Sequence, residues 1–245
     1  EASVEKMNKE TYPESFDNLD PETGEIRITP HTPCPILYGI RSESPEAAVR
    51  AQKLVEEKEP VEWVVLFKTN QATDEHLEYF NIDEVEPYRS VILEGIVSEG
   101  PETIEGGHVF FSIKDDSDEI RCAAFEPTGK FRKIVRKLKL GDKVRVYGGV
   151  KEKEDHPLTV NLEKIEILNL KTVKKILNPV CEDCGKNMKS EGRDKGYYCE
   201  KCGKRLPSDS FREIEVDRQL ETKLYEVPPH ARRHLSKPLI RMAED

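Results

Sequence analysis

Cys181, Cys184, Cys199 and Cys202 form two C-x2-C pairs separated by fourteen residues. Two residues between thiolates let both sulfurs of a tight turn face one ion, and two such turns supply the four soft ligands of tetrahedral zinc. Gly185 and Gly203 each follow the second cysteine of a pair, where a knuckle turn needs positive φ. Four protein ligands fill the coordination shell, so the ion expected here is structural rather than catalytic. A redox or free-thiol role is the alternative reading of such pairs. The remaining cysteines, Cys34 and Cys122, are isolated. This usage suits a reducing cytoplasm with a metal site rather than a disulfide framework.

Two polar clusters have residue types suited to ligand binding or proton transfer. His31, Thr32 and Cys34 stand in the run HTPCP, and Asn70, Gln71, Thr73, Asp74 and His76 follow an apolar run at 61–68. The second cluster falls beyond the carboxyl end of an expected strand, where open α/β sheets bind ligands. Turn and capping chemistry is the competing reading, with Thr73 or Asp74 capping a helix through Leu77 and Phe80. No phosphate-loop, nucleophile-elbow, zinc-protease or dinucleotide-binding motif is present.

The elements that would position these groups fall into an α+β, multidomain pattern. Residues 1–87 open irregularly, with a short strand at 25–29, then read as strand (36–41), helix and strand (61–68). Ser44 is placed to cap the helix and Pro45 to begin it. That order implies a right-handed crossover between parallel strands, half of a ferredoxin-like α/β sandwich. Residues 88–170 read as strands at 91–97, 109–114 and 119–125, a helix with Phe131, Ile134, Val135 and Leu138 on one face, then strands at 143–150 and 158–168. Three strands, a helix and two strands is the order of a five-stranded oligonucleotide-binding (OB) barrel. A zinc ribbon at 171–207 and a tail at 208–245 complete the division. The chain begins at Glu1 rather than Met, which suggests a piece of a longer protein or a processed product.

OB barrels hold single strands across their second and third strands, with bases stacked on aromatic rings. Phe110 and Phe111 are adjacent, so alternation sends one inward and one outward; the alternative is that both are core. Lys114 and Arg121 are expected at phosphates. The net charge of −9 argues against nucleic acid, but its distribution does not. Residues 130–153 are strongly basic and include Lys130, Arg132, Lys143 and Arg145, and the tail contributes Arg232 and Arg233. A solvated helix face is the plainer account of the first run. No apolar run is long enough to span a membrane.

Longer stretches carry a resemblance. ESFDNLDPETGEIRITPHTPCPILYGIR (14–41), FKTNQATDEH (67–76), FEPTGKFRKIVRKLKLGDKVRVYGGV (125–150), the four-cysteine ribbon and PPHARRHLSKPLIRM (228–242) together resemble the archaeal tRNA-isoleucine agmatinylcytidine synthetases. The likeness covers nearly the whole chain and implies the domain order ferredoxin-like, OB, zinc ribbon. It implies an enzyme that uses ATP and Mg2+ to attach agmatine to the wobble cytidine of an isoleucine tRNA with a CAU anticodon, changing the codon read from AUG to AUA. The implied chemistry is phosphoryl activation of the cytidine O2 followed by amine attack at C2. In that family a kinase-like catalytic domain lies N-terminal to this region. The resemblance thus implies a tRNA-binding portion, inactive alone, whose His31–Cys34 and Asn70–His76 clusters line an agmatine or ATP pocket facing that domain. A non-catalytic single-strand-binding module is the alternative.

Overall fold

The structure, a computed structural model, describes residues 1–242. It divides into two compact units, one holding residues 1–169 with the chain from 222 on, the other holding 170–221.

The first unit opens with α1 (Ala2–Thr11), β1 (Ser15–Phe16), β2 (Arg41–Ser42) and α2 (Pro45–Gln52). The α2 cap is as expected: the Ser44 side chain accepts from the Ala47 amide at 3.1 Å, with Pro45 in the first turn. Val4, Met7, Ile28 and Ala51 form a small core beneath α1 and α2.

Three expected strands differ. Residues 25–29 contribute one bridge, Leu19 with Ile26. The strand at 36–41 shrinks to β2, antiparallel to β1. Residues 61–68, expected as a buried parallel strand, form no strand and lie open, with Trp63 72% and Phe67 81% exposed. A strand needs a neighbour for its amides and carbonyls. Among the described residues none pairs with 61–68, so its apolar pattern has no sheet to enter. The expected crossover of parallel strands is therefore not formed.

Further along, β3 (Glu78–Tyr79) precedes the elements of the barrel. β4 (Ser90–Thr103), β5 (Val109–Lys114), β6 (Glu119–Ala124), α3 (Phe131–Val135), β7 (Lys143–Lys153) and β8 (His156–Asn169) follow the expected order. β4 pairs with β5, β5 with β6, β6 in parallel with β8, β8 with β7, and β7 with β4, which closes a five-stranded barrel. Closure leaves these five strands without a free edge along the ring. Period-two alternation places Val91, Leu93, Val109, Phe111, Ile113, Ile120, Cys122, Val144, Val146 and Ile165 inside, all nearly fully buried. Phe131 and Val135 bury the face of α3, and Leu138 is buried just beyond its end. Gly148 is required by contact: a Cβ there would overlap the Asn161 carbonyl of β8.

The segment expected as a separate tail divides. β13 (Arg212–Glu215) pairs with β9 (Lys174–Leu177) in the second unit. β14 (Leu224–Glu226) pairs with β8 and extends the barrel sheet, while β3 adds in parallel to β4. The second unit also holds the ribbon sheet of β10 (Lys189–Ser190), β11 (Tyr197–Tyr198) and β12 (Arg205–Leu206). No helix among the described residues is long and apolar enough to cross a membrane.

Candidate nucleic-acid interface and metal centre

The two cysteine knuckles repeat one geometry. The Gly185 amide donates to the Cys181 carbonyl and the Cys181 amide to the Lys186 carbonyl, each at 2.8 Å; Gly203, Cys199 and Lys204 do the same at 2.8 Å. Gly185 and Gly203 have φ of 70° and 71°, as the turn requires. The four Sγ atoms lie within 4.8 Å of one another. Sulfurs about 2.3 Å from a common zinc occupy a tetrahedron of comparable size. The donor set and its spacing fit zinc, and all four positions are protein sulfur. Met188, Tyr197 and Leu206 are the sizeable apolar groups that pack beside the cysteines among the described residues.

On the barrel, alternation settles the phenylalanine pair. Phe111 faces the core, and Phe110 faces out from β5. The Arg121 guanidinium lies 3.9 Å over the Phe110 ring centroid. Phe125 meets Phe110 edge-on at 6.2 Å, and His108 meets Phe125 at 5.2 Å. This ladder of His108, Phe125, Phe110 and Arg121 crosses the face where OB barrels take single strands. Lys114 is exposed on the same strand as Phe110. Cys122 is sealed inside, where burial pushes its thiol well up, so it is a core residue rather than a nucleophile.

The other basic candidates are largely committed to the protein itself. Lys130 pairs with Glu22 at 3.6 Å, and Arg132 holds Glu126 at 2.9 Å and the Gly107 carbonyl. Lys143 pairs with Glu94 at 2.6 Å, and Arg145 bridges Glu94 and Glu166. Arg232, only 6% exposed, lies between Asp17 and Glu226. Arg233 keeps half its surface while pairing with Glu163 at 3.0 Å. These partners leave the basic runs with less free charge to offer a phosphate than their sequence suggests.

The two polar clusters are differently placed. His31 sits 3.6 Å from Glu25, and the Cys34 thiol points to the Ile36 carbonyl, both exposed. Thr32 and Asn70 are exposed as well. Gln71 accepts from Arg41 at 3.0 Å, and the Thr73 hydroxyl donates to the Asn70 carbonyl at 2.7 Å. The expected helix after Thr73 is replaced by turns. Asp74 and His76 point inward instead. Both oxygens of Asp74 take hydrogen bonds from the Lys164 ammonium at 2.6 Å, and His76 Nε2 lies 3.0 Å from Glu163. The amides of Ala72, Thr73 and Asp74 donate to the carbonyls of His234 and Leu235. The second cluster is thus bound to the C-terminal segment. Among the described residues no hydrogen bond joins it to His31, Thr32 or Cys34.

An interior network lies beneath these candidates that local sequence patterns do not reveal. Besides Lys164 and Glu163 it includes Asp20, whose carboxylate accepts from both Nδ1 and the backbone amide of His230. His230 Nε2 lies 2.8 Å from the Pro127 carbonyl. Both neighbours of the ring are acceptors, an arrangement that favours a proton on each nitrogen. Burial alone would lower the His230 pKa, but the hydrogen bonds to Asp20 and Pro127 raise it on balance. Burial alone would raise Asp20, but bonds from His230 and from the Glu22 and Thr23 amides bring it below its ordinary value. The raised histidine contributes stability that is full below its unfolded pKa and disappears as pH rises through the folded value. The lowered aspartate contributes above its unfolded pKa and fails as pH falls through its folded value. His230→Ala should therefore flatten the alkaline limb of the stability profile above neutrality. Urea midpoints measured across pH 5–9 check this, and an unchanged slope would contradict the clamp. A complementary pattern, acids at 17–20 against bases at 230–233, was the available signal, but it is visible only once the two ends are known to meet.

A closed barrel with an aromatic outer face and a four-thiolate ribbon place the fold in the OB and zinc-ribbon class. Three family profiles match in order: "TiaS FLD domain" over residues 1–76, "OB-fold nucleic acid binding domain" over 91–168 and "TiaS C-terminal zinc ribbon domain" over 178–220. The chain belongs to the TiaS family. It is 48% identical over 239 residues to the isoleucine-tRNA 2-agmatinylcytidine synthetase TiaS of Methanocaldococcus jannaschii, covering 98% of this chain and 55% of that protein. The namesake from Archaeoglobus fulgidus is 47% identical over 243 residues, 99% of this chain and 56% of its own. A crystal structure of TiaS in complex with isoleucine tRNA and ATP superposes with TM-score 0.85 at 46% identity, over all of this chain and 56% of that one. A TiaS complex with isoleucine tRNA, AMPCPP and agmatine gives 0.82 at 44%, with the same coverage. The chain spans about half the length of the relatives it matches.

Proposed function

We propose that this chain is the tRNA-binding portion of an ATP-dependent ligase. That enzyme joins agmatine to the wobble cytidine of isoleucine tRNA carrying a CAU anticodon, so that AUA is read in place of AUG. The carrying observation is the 48% identity that runs through 98% of the chain to a synthetase of that name. The outward Phe110–Arg121 face supplies the physical means of holding unpaired nucleotides.

Because the chain spans about half of its relatives, ligation belongs to the whole enzyme, with ATP, Mg2+ and agmatine as its reactants. The chain alone is then inactive, and the kinase-like domain of the same protein is its first partner. The open apolar run at 61–68 fits that reading: Trp63, Val64, Leu66 and Phe67 offer the side chains of a strand awaiting a sheet. His31, Thr32, Cys34, Asn70, Gln71 and Thr73 are the groups we assign to the agmatine or ATP side of that junction. Asp74 and His76 serve it from within, by fixing the 70–73 turn to Lys164 and Glu163. We assign the enzyme to the cytoplasm, where its tRNA substrate is used.

The test is a chimera in which the N-terminal remainder of the M. jannaschii relative is joined to this chain. With ATP, Mg2+, agmatine and CAU-anticodon isoleucine tRNA, mass spectrometry should detect agmatinylated cytidine. A folded, zinc-loaded chimera that binds this tRNA but never modifies it would refute the assignment.

A further inference from the structure

The outer face of β5 and β6 carries an arrangement that base stacking alone does not require. Cross-strand register sets two rows side by side: Glu102, Phe110 and Ala123, then Glu99, Ser112 and Arg121. Beyond them Lys114 faces Glu119. A cavity of about 450 Å³ opens over these rows, lined among others by Glu99, Phe110, Ser112, Glu119 and Arg121.

Three features of this cavity bear on what it takes. Arg121 is, among the described residues, the one arginine whose guanidinium makes no hydrogen bond or ion pair; its Cζ lies 3.9 Å over the Phe110 ring centroid. A guanidinium so placed presents its second face as a stacking surface for a base. Second, the carboxylates are poised rather than consumed. The Ser112 hydroxyl donates to one oxygen of Glu99 at 2.7 Å and leaves the other free, and the Glu119 carboxylate has no partner among the described residues. Third, those carboxylates repel phosphate, so the nucleotide must enter base first, with its phosphate left to Lys114 on the neighbouring row.

We infer that this cavity is a subsite for one unpaired base with donors on its Watson–Crick edge, guanine above all, stacked on Arg121 and held by Glu99 and Glu119. A carboxylate only accepts, and its two oxygens match the adjacent N1–H and N2–H2 donors of guanine in a fork. Adenine and cytosine offer one amino group each. Uracil sets two carbonyl oxygens around its single donor and is rejected. The inference rests on the RNA-binding reading above and goes beyond it by assigning a base preference.

The experiment uses the zinc-loaded chain and fluorescein-labelled hexaribonucleotides: oligo-U, and oligo-U with one central G, A or C. Anisotropy should give about tenfold tighter binding for the G-containing strand than for oligo-U, with A and C between, as one bidentate base contact provides. The double variant E99Q/E119Q should bind oligo-U at least as well as the parent and lose the preference for G. F110A should weaken all four strands by about tenfold, with the CD melt unchanged. Equal affinity for G and U strands, a preference that survives E99Q/E119Q, or no hexamer binding would each overturn the subsite. An arm with intact tRNA separates the readings: tRNA bound without base preference removes only this inference, whereas no RNA bound at all removes both.

Discussion

Chelating zinc is expected to unfold residues 181–206 while the barrel stays folded. The ribbon has three two-residue strands and an apolar cluster of Met188, Tyr197 and Leu206 around the cysteines. That is far too little buried surface to offset the entropy of ordering that segment. Zinc binding in comparable small modules is worth about 10–16 kcal/mol at neutral pH, which makes metal binding and folding one event there. In the barrel, closure and a continuous Val, Ile and Leu interior owe nothing to the metal. Hydrogen exchange should therefore show the Cys181, Gly185, Cys199 and Gly203 amides losing protection on chelation, with β4 to β8 unchanged. Cys199→Ser should do the same without chelator. Knuckle amides that remain protected without metal would contradict this account.

The second large effect concerns Lys164. Its side chain is 0% exposed and its ammonium is held by Asp74, which also accepts the Lys237 amide at 2.7 Å. Burial lowers the lysine pKa, the Asp74 hydrogen bond and charge oppose that, and the net direction is down. Asp74→Ala removes the carboxylate and leaves a buried cation, which costs about 3–5 kcal/mol. For a chain of this size that is a fall of roughly 10 °C in Tm. The sign of its pH dependence follows. Without Asp74 the folded-state pKa of Lys164 drops further below its unfolded value. The penalty is therefore full below the folded value and shrinks as pH rises from it toward the unfolded one. The isosteric pair D74N/K164M should recover most of the loss, since neither residue is then charged. Melts of the three proteins at pH 7 and pH 9.5 decide this. A D74A protein as stable as the parent would show that the pair carries no weight.

What could be read from the sequence divides along physical lines. The barrel was legible because each strand carries its own alternation and each turn its own Gly or Asp, as at Gly106, Gly107 and Asp115 to Asp118. The ribbon was legible because metal ligands are few and their spacing is fixed by coordination geometry. Residues 61–68 misled because an apolar run records what a segment would do inside a sheet, whereas a strand forms only where a neighbour pairs with it. Phe110 and Phe111 were separable in principle but not in sign, since alternation fixes that they differ and not which faces out. Neither local spacing nor charge counting could place Arg232 in the interior. It is buried by Glu226 at the end of β14 and by Asp17, which is 215 residues away in sequence, whereas its neighbour Arg233 pairs with Glu163 and keeps half its surface. For the same reason Asp74 and His76 read as surface ligand groups until Lys164 and Glu163 were seen beneath them.

The central claim is that these domains hold a particular tRNA. Its most direct test is binding of the zinc-loaded chain, across a salt series, to isoleucine tRNA with a CAU anticodon, to elongator methionine tRNA, and to single-stranded DNA of equal length. The account predicts tightest binding to the isoleucine tRNA at every salt concentration. Binding to the DNA equal to or tighter than binding to that tRNA would contradict it and leave a general single-strand binder.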